Sequence, residues 1–293
     1  MAELENYRKA GKIASKIREW SKGLIKPGAK AFDVAEAIEA KILEEAEIAF
    51  PVNVSLNDVA AHYSPDFNDK LEFKETDLVT IDLGVHVDGY IADTAYTLDL
   101  SGENQALVEA SEAGLQAAIE TVRAGVSIKE IGKNIEEAIK AKGFKPIENL
   151  TGHELQQFNL HAGLAIPNVE VPYDFKLEEG QAFAIEPFAT NGRGHVIESK
   201  NAMIFSFIQN RPVRMREGRT VLEEAEKRKG LPFAERWFAK KMHPLKLKMV
   251  LRELVDRDAL HAYPTLHEAD KGLVSQTEHT MIVEKDGCEV TTI

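Results

Sequence analysis

A pair of amphipathic helical patterns followed by strand-like runs occurs twice in this chain of 293 residues, and the two copies can be laid over one another. At an offset of 97, Gly28 meets Gly125, Val34 meets Ile131, Ile38 meets Ile135, Glu39 meets Glu136 and Ile42 meets Ile139. At an offset of 104, Glu75-x-x-Leu-Val-x-Ile-Asp82 meets Glu179-x-x-Ala-Phe-x-Ile-Glu186. Any two amphipathic helices share their spacing, so the helical match alone has little weight. The strand match weighs more, because it sets one carboxylate on another at the end of similar apolar runs. The repeat predicts two similar α/β halves facing each other across a central site.

Within the copies the elements are legible. Tyr7, Ala10, Ile13, Ile17 and Trp20 keep helical spacing until Pro27-Gly28 breaks the run. Phe32, Val34, Ile38 and Ile42 begin a second helix, with Asp33 as its expected cap. Residues 78–98 change to two strands around Asp88-Gly89, a dipeptide that favours the tight turn of a hairpin. Residues 104–123 are helical again, and Ser127 with Glu130 forms a capping box for a helix to about Lys142. A strand pattern at Leu273–Val283 and a turn at Lys285-Asp-Gly287 follow near the C-terminus.

Ile204–Thr265 fits neither copy. It carries 14 Lys and Arg against 8 Asp and Glu, on a chain whose overall balance is −12, with helical patterns at Thr220–Lys229, Phe233–Lys241 and Leu245–Asp256. The expected organisation is a main domain of residues 1–203 and 266–293 with an inserted helical subdomain at 204–265. The acidic total argues against a nucleic-acid binder driven by overall charge. There is no apolar run of the ~18 residues a membrane span needs. The charged amphipathic stretch Ala2–Lys22 is unlike a secretory leader, and the single cysteine, Cys288, cannot form an intrachain disulfide. The expected location is the cytoplasm.

The hairpin carries the first chemistry. With a two-residue loop Asp82 faces Ala95, and Asp93 lies diagonal to Asp82 on the same face, a spacing of ~7–8 Å at the backbone. Two carboxylates aimed at one point among Ile81, Leu83, Ile91, Ala92 and Ala95 need a proton or a cation between them; on an open face they would be two solvated charges. His153, His161, Glu186 and Glu278 are further candidates, although singly each also reads as an edge charge or a structural histidine. Two Asp, two Glu and one His as a set suit a pair of divalent first-row ions better than a thiolate-selected zinc. Paired metals activate water and polarise a carbonyl, which points to hydrolysis.

Asp82-Leu-Gly-Val-His-Val-Asp-Gly-Tyr-Ile-Ala-Asp93, Thr151-Gly-His153, His161-Ala-Gly, Ala184-Ile-Glu186-Pro-Phe and Gln276-Thr-Glu278-His-Thr, in that order, resemble the type 2 methionine aminopeptidases of the archaeal kind over nearly the whole chain. The resemblance implies the α/β pita-bread fold: two pseudo-symmetric halves, here with a winged-helix-like helical insertion. It implies removal of N-terminal methionine from nascent polypeptides, with preference for a small second residue. The implied mechanism is attack of a dimetal-bound hydroxide on the first peptide bond, using two divalent ions drawn from Co, Mn, Fe or Zn. Carried over residue by residue, Asp82 holds one metal, His153 and Glu186 hold the other, and Asp93 and Glu278 bridge both. His62 and His161 bind substrate and stabilise the oxyanion. The methionine side chain lies among Phe50, Phe188, Leu160–His161 and Tyr263, with Phe50 reading equally well as core. Thr80 departs from the family, where lysine is more usual, and is expected to face away from Asp82.

Two other functions compete. Proline-specific aminopeptidases and dipeptidases share the scaffold but usually carry a large extra N-terminal domain, and only ~50 residues precede Phe50 here. A non-catalytic ribosome- or RNA-binding relative would lose metal ligands, and all five are present. The basic cluster Arg211, Arg214, Arg216, Arg219, Lys227, Arg228 and Lys229 suggests docking on ribosomal RNA; against it stands a solvated surface paired with nearby glutamates, or one that steers an acidic substrate.

Overall fold

The structure, a computed structural model, describes residues 2–239 and 241–293. The first copy runs α1 (Ala2–Lys22), α2 (Ala31–Ile42), β1 (Glu47–Leu56), β2 (Val59–Ala61), β3 (Leu78–Val87) and β4 (Tyr90–Asp99). The second runs α3 (Gln105–Thr121), α4 (Ile128–Ala141), β5 (Lys145–Pro146), β6 (Thr151–Gln156), β7 (Asn159–Pro167), β8 (Ala182–Ile185) and β9 (Phe188–Thr190). Then come β10 (Val196–Phe207), α5 (Arg216–Lys227), β11 (Phe233–Ala234), α6 (Arg236–Ala239), α7 (Pro244–Asp256) and β12 (Leu260–Glu268), and last β13 (Val274–Gln276), β14 (His279–Val283) and β15 (Cys288–Val290). The sheets are β1-β3-β4, β11-β10-β12-β2, β13-β9-β5 and β15-β14-β8-β6-β7.

The two copies fold alike down to their turns. Gly28 and Gly125 both take left-handed φ values, 82° and 81°, open to glycine at little cost. Gly28 N–H donates to Phe73 O at 2.8 Å, and Gly125 N–H to Leu177 O at 2.8 Å. Lys30 bridges Glu72 as Ser127 bridges Lys176, so both sequence offsets, 97 and 104, reappear in one pair of equivalent contacts. Helices α1 and α2 cover β1, β3 and β4 through Ile17, Ile38, Ile42, Val54 and Ile81. Helices α3 and α4 cover the second half through Leu115, Ile131, Ile135, Phe183 and Ile185.

Local expectations differ from the fold in three places. The N-cap of α2 is Lys30; Asp33 lies inside the first turn, where its charge still favours the helix dipole. Ser127 caps α4 as expected, accepting from Lys129 N–H at 3.1 Å. The Phe233–Lys241 helix shortens to α6, because Phe233 and Ala234 pair with Phe205 and Ile204 as a strand; Lys240 lies outside the described residues. The Leu273–Val283 strand is broken between Gln276 and His279, so Glu278 sits at a break in the ladder. Between β10 and β12, helices α5 and α7 pack on an apolar cluster of their own that includes Phe205, Val221, Leu222, Leu247, Val250 and Leu254.

Candidate active site

The hairpin forms as the spacing predicts: Asp82 pairs with Ala95 and Gly84 with Asp93, with Asp88 and Gly89 at φ 51° and 85° in the turn. Beyond β4, Glu278 N–H donates to Ala95 O at 3.1 Å. Residues directly opposed across strands share a face, so Asp82, Ala95 and Glu278 form one row with the methyl of Ala95 in its middle. From the other half, His153 on β6 pairs with Ala184, and Glu186 follows the end of β8. His153 Nε2 stands 3.7 Å from Asp93 Oδ2 and 3.8 Å from Glu186 Oε1. Asp93, His153 and Glu278 offer ligand atoms all within 4.8 Å of one another.

A cavity opens over these groups, lined also by Phe50, Asn53, Ala61, His62, Leu160, His161, Ile204, Pro232 and Tyr263. Gly84 admits Phe50 to it, since a Cβ at Gly84 would fall 2.2 Å from the Phe50 ring. His62 holds φ 63°, strained for a residue with a Cβ, and its Nδ1–H donates to Pro264 O at 3.2 Å. A carbonyl can only accept, so Nε2 of His62 is left as an acceptor for a ligand. The rings of His153 and His161 lie 4.5 Å apart, and Tyr263 stands 5.6 Å from His62 and 6.1 Å from His161.

No Lys or Arg is among the lining residues. Burial raises Asp82 to about 7, and burial together with Glu278 and Asp82 holds Asp93 well above the usual carboxylate range. Glu186 is raised by burial and then by Asp93, and Glu278 by burial and then by Glu186. Burial, then His161, lowers His62 to about 4 and holds His153 well below the ordinary imidazole range. His161 is open to solvent on one side, yet its surroundings and His261 still lower it. Neutral imidazoles therefore face four carboxyl groups that repel one another. Asp82 Oδ1, Asp93 Oδ1 and Glu278 Oε2 are buried with no hydrogen-bond partner. Orphaned carboxyl oxygens beside a neutral imidazole are the donor set of a divalent first-row cation, so the residues fit a metal.

Of the residues expected at the site, Phe188 alone does not line the cavity. It is 1% exposed, packed with Ile147, Val196, Leu266 and Val274, because it begins β9, beyond the break at Glu186-Pro187 that ends β8. Phe50 lines the cavity besides contributing to a core cluster. Thr80 requires a correction: residues two apart on a strand share a face, so Thr80 lies on the side of Asp82, its Oγ1 2.8 Å from that of Thr97. Thr97 Oγ1 donates to Gln276 O at 2.8 Å, and Gln276 Nε2 donates to Glu186 Oε2 at 3.0 Å. Sequence reasoning missed Asn53, Ala61, Ile204 and Pro232, none of which carries a motif.

Residues 5–221 match the model of metallopeptidase family M24. The chain belongs to metallopeptidase family M24. Within it, the chain is 49% identical to the methionine aminopeptidase of Pyrococcus abyssi, over 99% of both sequences. The fold is shared with a methionine aminopeptidase from Rickettsia prowazekii (TM-score 0.73, 22% identity, covering 100% of this chain and 97% of that one). It is shared also with a thermophilic Arx1 (TM-score 0.87, 19% identity, 99% and 90%). The pita-bread architecture is thus common to all of them.

Proposed function

We propose that the chain removes the N-terminal methionine of nascent polypeptides, with preference for a small second residue. The observation that carries this reading is the cavity itself: four carboxyl groups and His153 converge at one end, and Phe50, Leu160, Ile204, Pro232 and Tyr263 make an apolar wall beside them. An unbranched thioether fits such a wall, and a free amine is drawn to the carboxylates.

Asp82, Asp93, His153, Glu186 and Glu278 would hold two divalent ions, of Co, Mn, Fe or Zn. Bound cations supply Lewis-acid polarisation of the scissile carbonyl and lower the pKa of water. His62 accepts from a substrate N–H through Nε2, the tautomer its bond to Pro264 enforces. His161 donates to the oxygen that gains charge in the transition state. Tyr263, against both rings, restricts their rotation. Release of methionine from Met-Ala peptides, set against cleavage of Ala-Pro dipeptides, after chelation and after metal is restored, tests the reading. Preference for Ala-Pro would replace it with proline-specific peptidase activity.

Residues 204–265 are assigned as the inserted subdomain on the strength of their separate apolar cluster. Docking on ribosomal RNA is kept for Arg211, Arg214, Arg216 and Arg219, which are exposed. Much of the other positive charge is engaged elsewhere: Lys227 with Glu224 at 2.9 Å, Arg257 with Glu253 at 2.9 Å, Lys248 with Asp66 at 3.3 Å, and Arg236 buried with Glu39. Co-sedimentation with ribosomes at rising salt, wild type against Arg214, Arg216 and Arg219 changed to Glu, tests it. No helix among the described residues is long and apolar enough to cross a membrane. The cytoplasm, where new N-termini emerge, is the compartment we assign.

A further inference from the structure

Asn53 lies on β1 directly opposite Asp82 on β3, so the two side chains stand next to each other on one face and line the same cavity. It is 4% exposed. Its Nδ2–H donates to Pro51 O at 3.0 Å, which fixes the orientation of the amide, since turning it over would set Oδ1 against that carbonyl. Oδ1 is then buried without a partner, as is Oδ1 of Asp82 beside it. A buried acceptor with no donor costs free energy that a ligand can return.

We infer that Asn53 Oδ1 accepts a hydrogen bond from the free α-amino group of the substrate and is the residue by which the site reads an N-terminus. This rests on the aminopeptidase reading above. The three imidazole rings of His62, His161 and His261 gather about Tyr263, which sets the scissile carbonyl toward that end of the cavity. The amine, two bonds from the carbonyl carbon, is left for the end where Asp82 and Asn53 meet. An amide suits the position better than a further carboxylate. Four buried carboxyl groups already repel one another, and an amide oxygen accepts an N–H without adding charge.

The test compares binding of methionine with binding of its analogue carrying hydrogen in place of the amino group, by calorimetry on the manganese-loaded protein. Asn53→Leu, close in volume but without an acceptor, weakens methionine roughly 10- to 100-fold and leaves the desamino analogue nearly unchanged. Asn53→Asp restores an acceptor oxygen and with it the preference for the amine. Metal content stays at the wild-type value in both. Equal weakening of the two ligands in Asn53→Leu overturns the inference, as does loss of metal, which would make Oδ1 a cation ligand. If the wild type binds methionine no better than the desamino analogue, the aminopeptidase reading fails as well. Failure of the variant alone removes only Asn53.

Discussion

Glu278 lies across Ala95 from Asp82, fixed there by the 3.1 Å bond from its own N–H to the Ala95 carbonyl. Ala95 is fully buried, and its methyl lies in the row between the two carboxylates on that face. Ala95→Leu should therefore push a side chain into the ligand set. Stability should fall by ~1–3 kcal/mol from overpacking, and metal content should fall much further than that loss explains. Metal analysis of the folded variant checks this; full metal content would show that the row does not border the site.

Metal binding should depend on the central carboxylates. Asp93→Asn and Glu278→Gln should abolish peptidase activity and lower the number of bound ions, whereas Lys26→Ala, far from the cavity, should do neither. Full activity of metal-free Asp93→Asn would sink the assignment.

Removal of metal should make stability pH-dependent in a defined direction. Asp82 keeps its proton to about 7 in the folded chain, against 3.8 ordinarily. Between those values the folded state binds more protons at Asp82 than the unfolded one, so the stability this group contributes is full below pH 4 and is lost as pH rises to 7. Relative to chelated Asp82→Asn, chelated wild type should melt progressively lower across that window, because the neutral histidines His62, His153, His161 and His279 act in the opposite direction in both proteins and drop out of the comparison. A difference that instead shifts in favour of wild type as pH rises would refute the account.

His62→Ala and His161→Ala should lower kcat with metal retained. Loss of one hydrogen-bonding group of this kind costs ~2.7–4 kcal/mol in the transition state, about 100- to 1000-fold. Loss of metal from either variant would place that histidine among the ligands instead.

Arg228 ties together two walls of the apolar pocket. Its Nε donates to Pro232 O at 2.9 Å and its Nη2 to Ile48 O at 2.8 Å, while the guanidinium stacks 4.9 Å over Trp237. Pro232 and Phe50, two residues beyond Ile48, both line the cavity. Arg228→Gln should raise KM for methionyl peptides about tenfold or more, with kcat and metal content little changed. A proportional fall in kcat with constant KM would show that Arg228 serves the chemistry and not the pocket.

What residues close in sequence can specify, the sequence determined alone. The Asp88-Gly89 turn requires left-handed φ at both positions, and it thereby sets Asp82 and Asp93 diagonal on one face. The two helix pairs follow from apolar spacing, and the repeat follows from Gly28 and Gly125 needing the same backbone. The motif residues at the cavity were legible because their chemistry is unusual for buried positions. Tertiary structure alone decided the rest. Asn53, Ile204 and Pro232 are ordinary residues until β1, β10 and the α5–β11 turn bring them to one wall, and Phe188 is aromatic in a motif yet turned into the core. Glu278 reads as a strand residue until the break after Gln276 aims it beside Ala95, 183 positions earlier. Periodicity reports which face of its own element a residue takes; it holds no information on which distant element that face will meet, and the pocket is made almost wholly of such meetings.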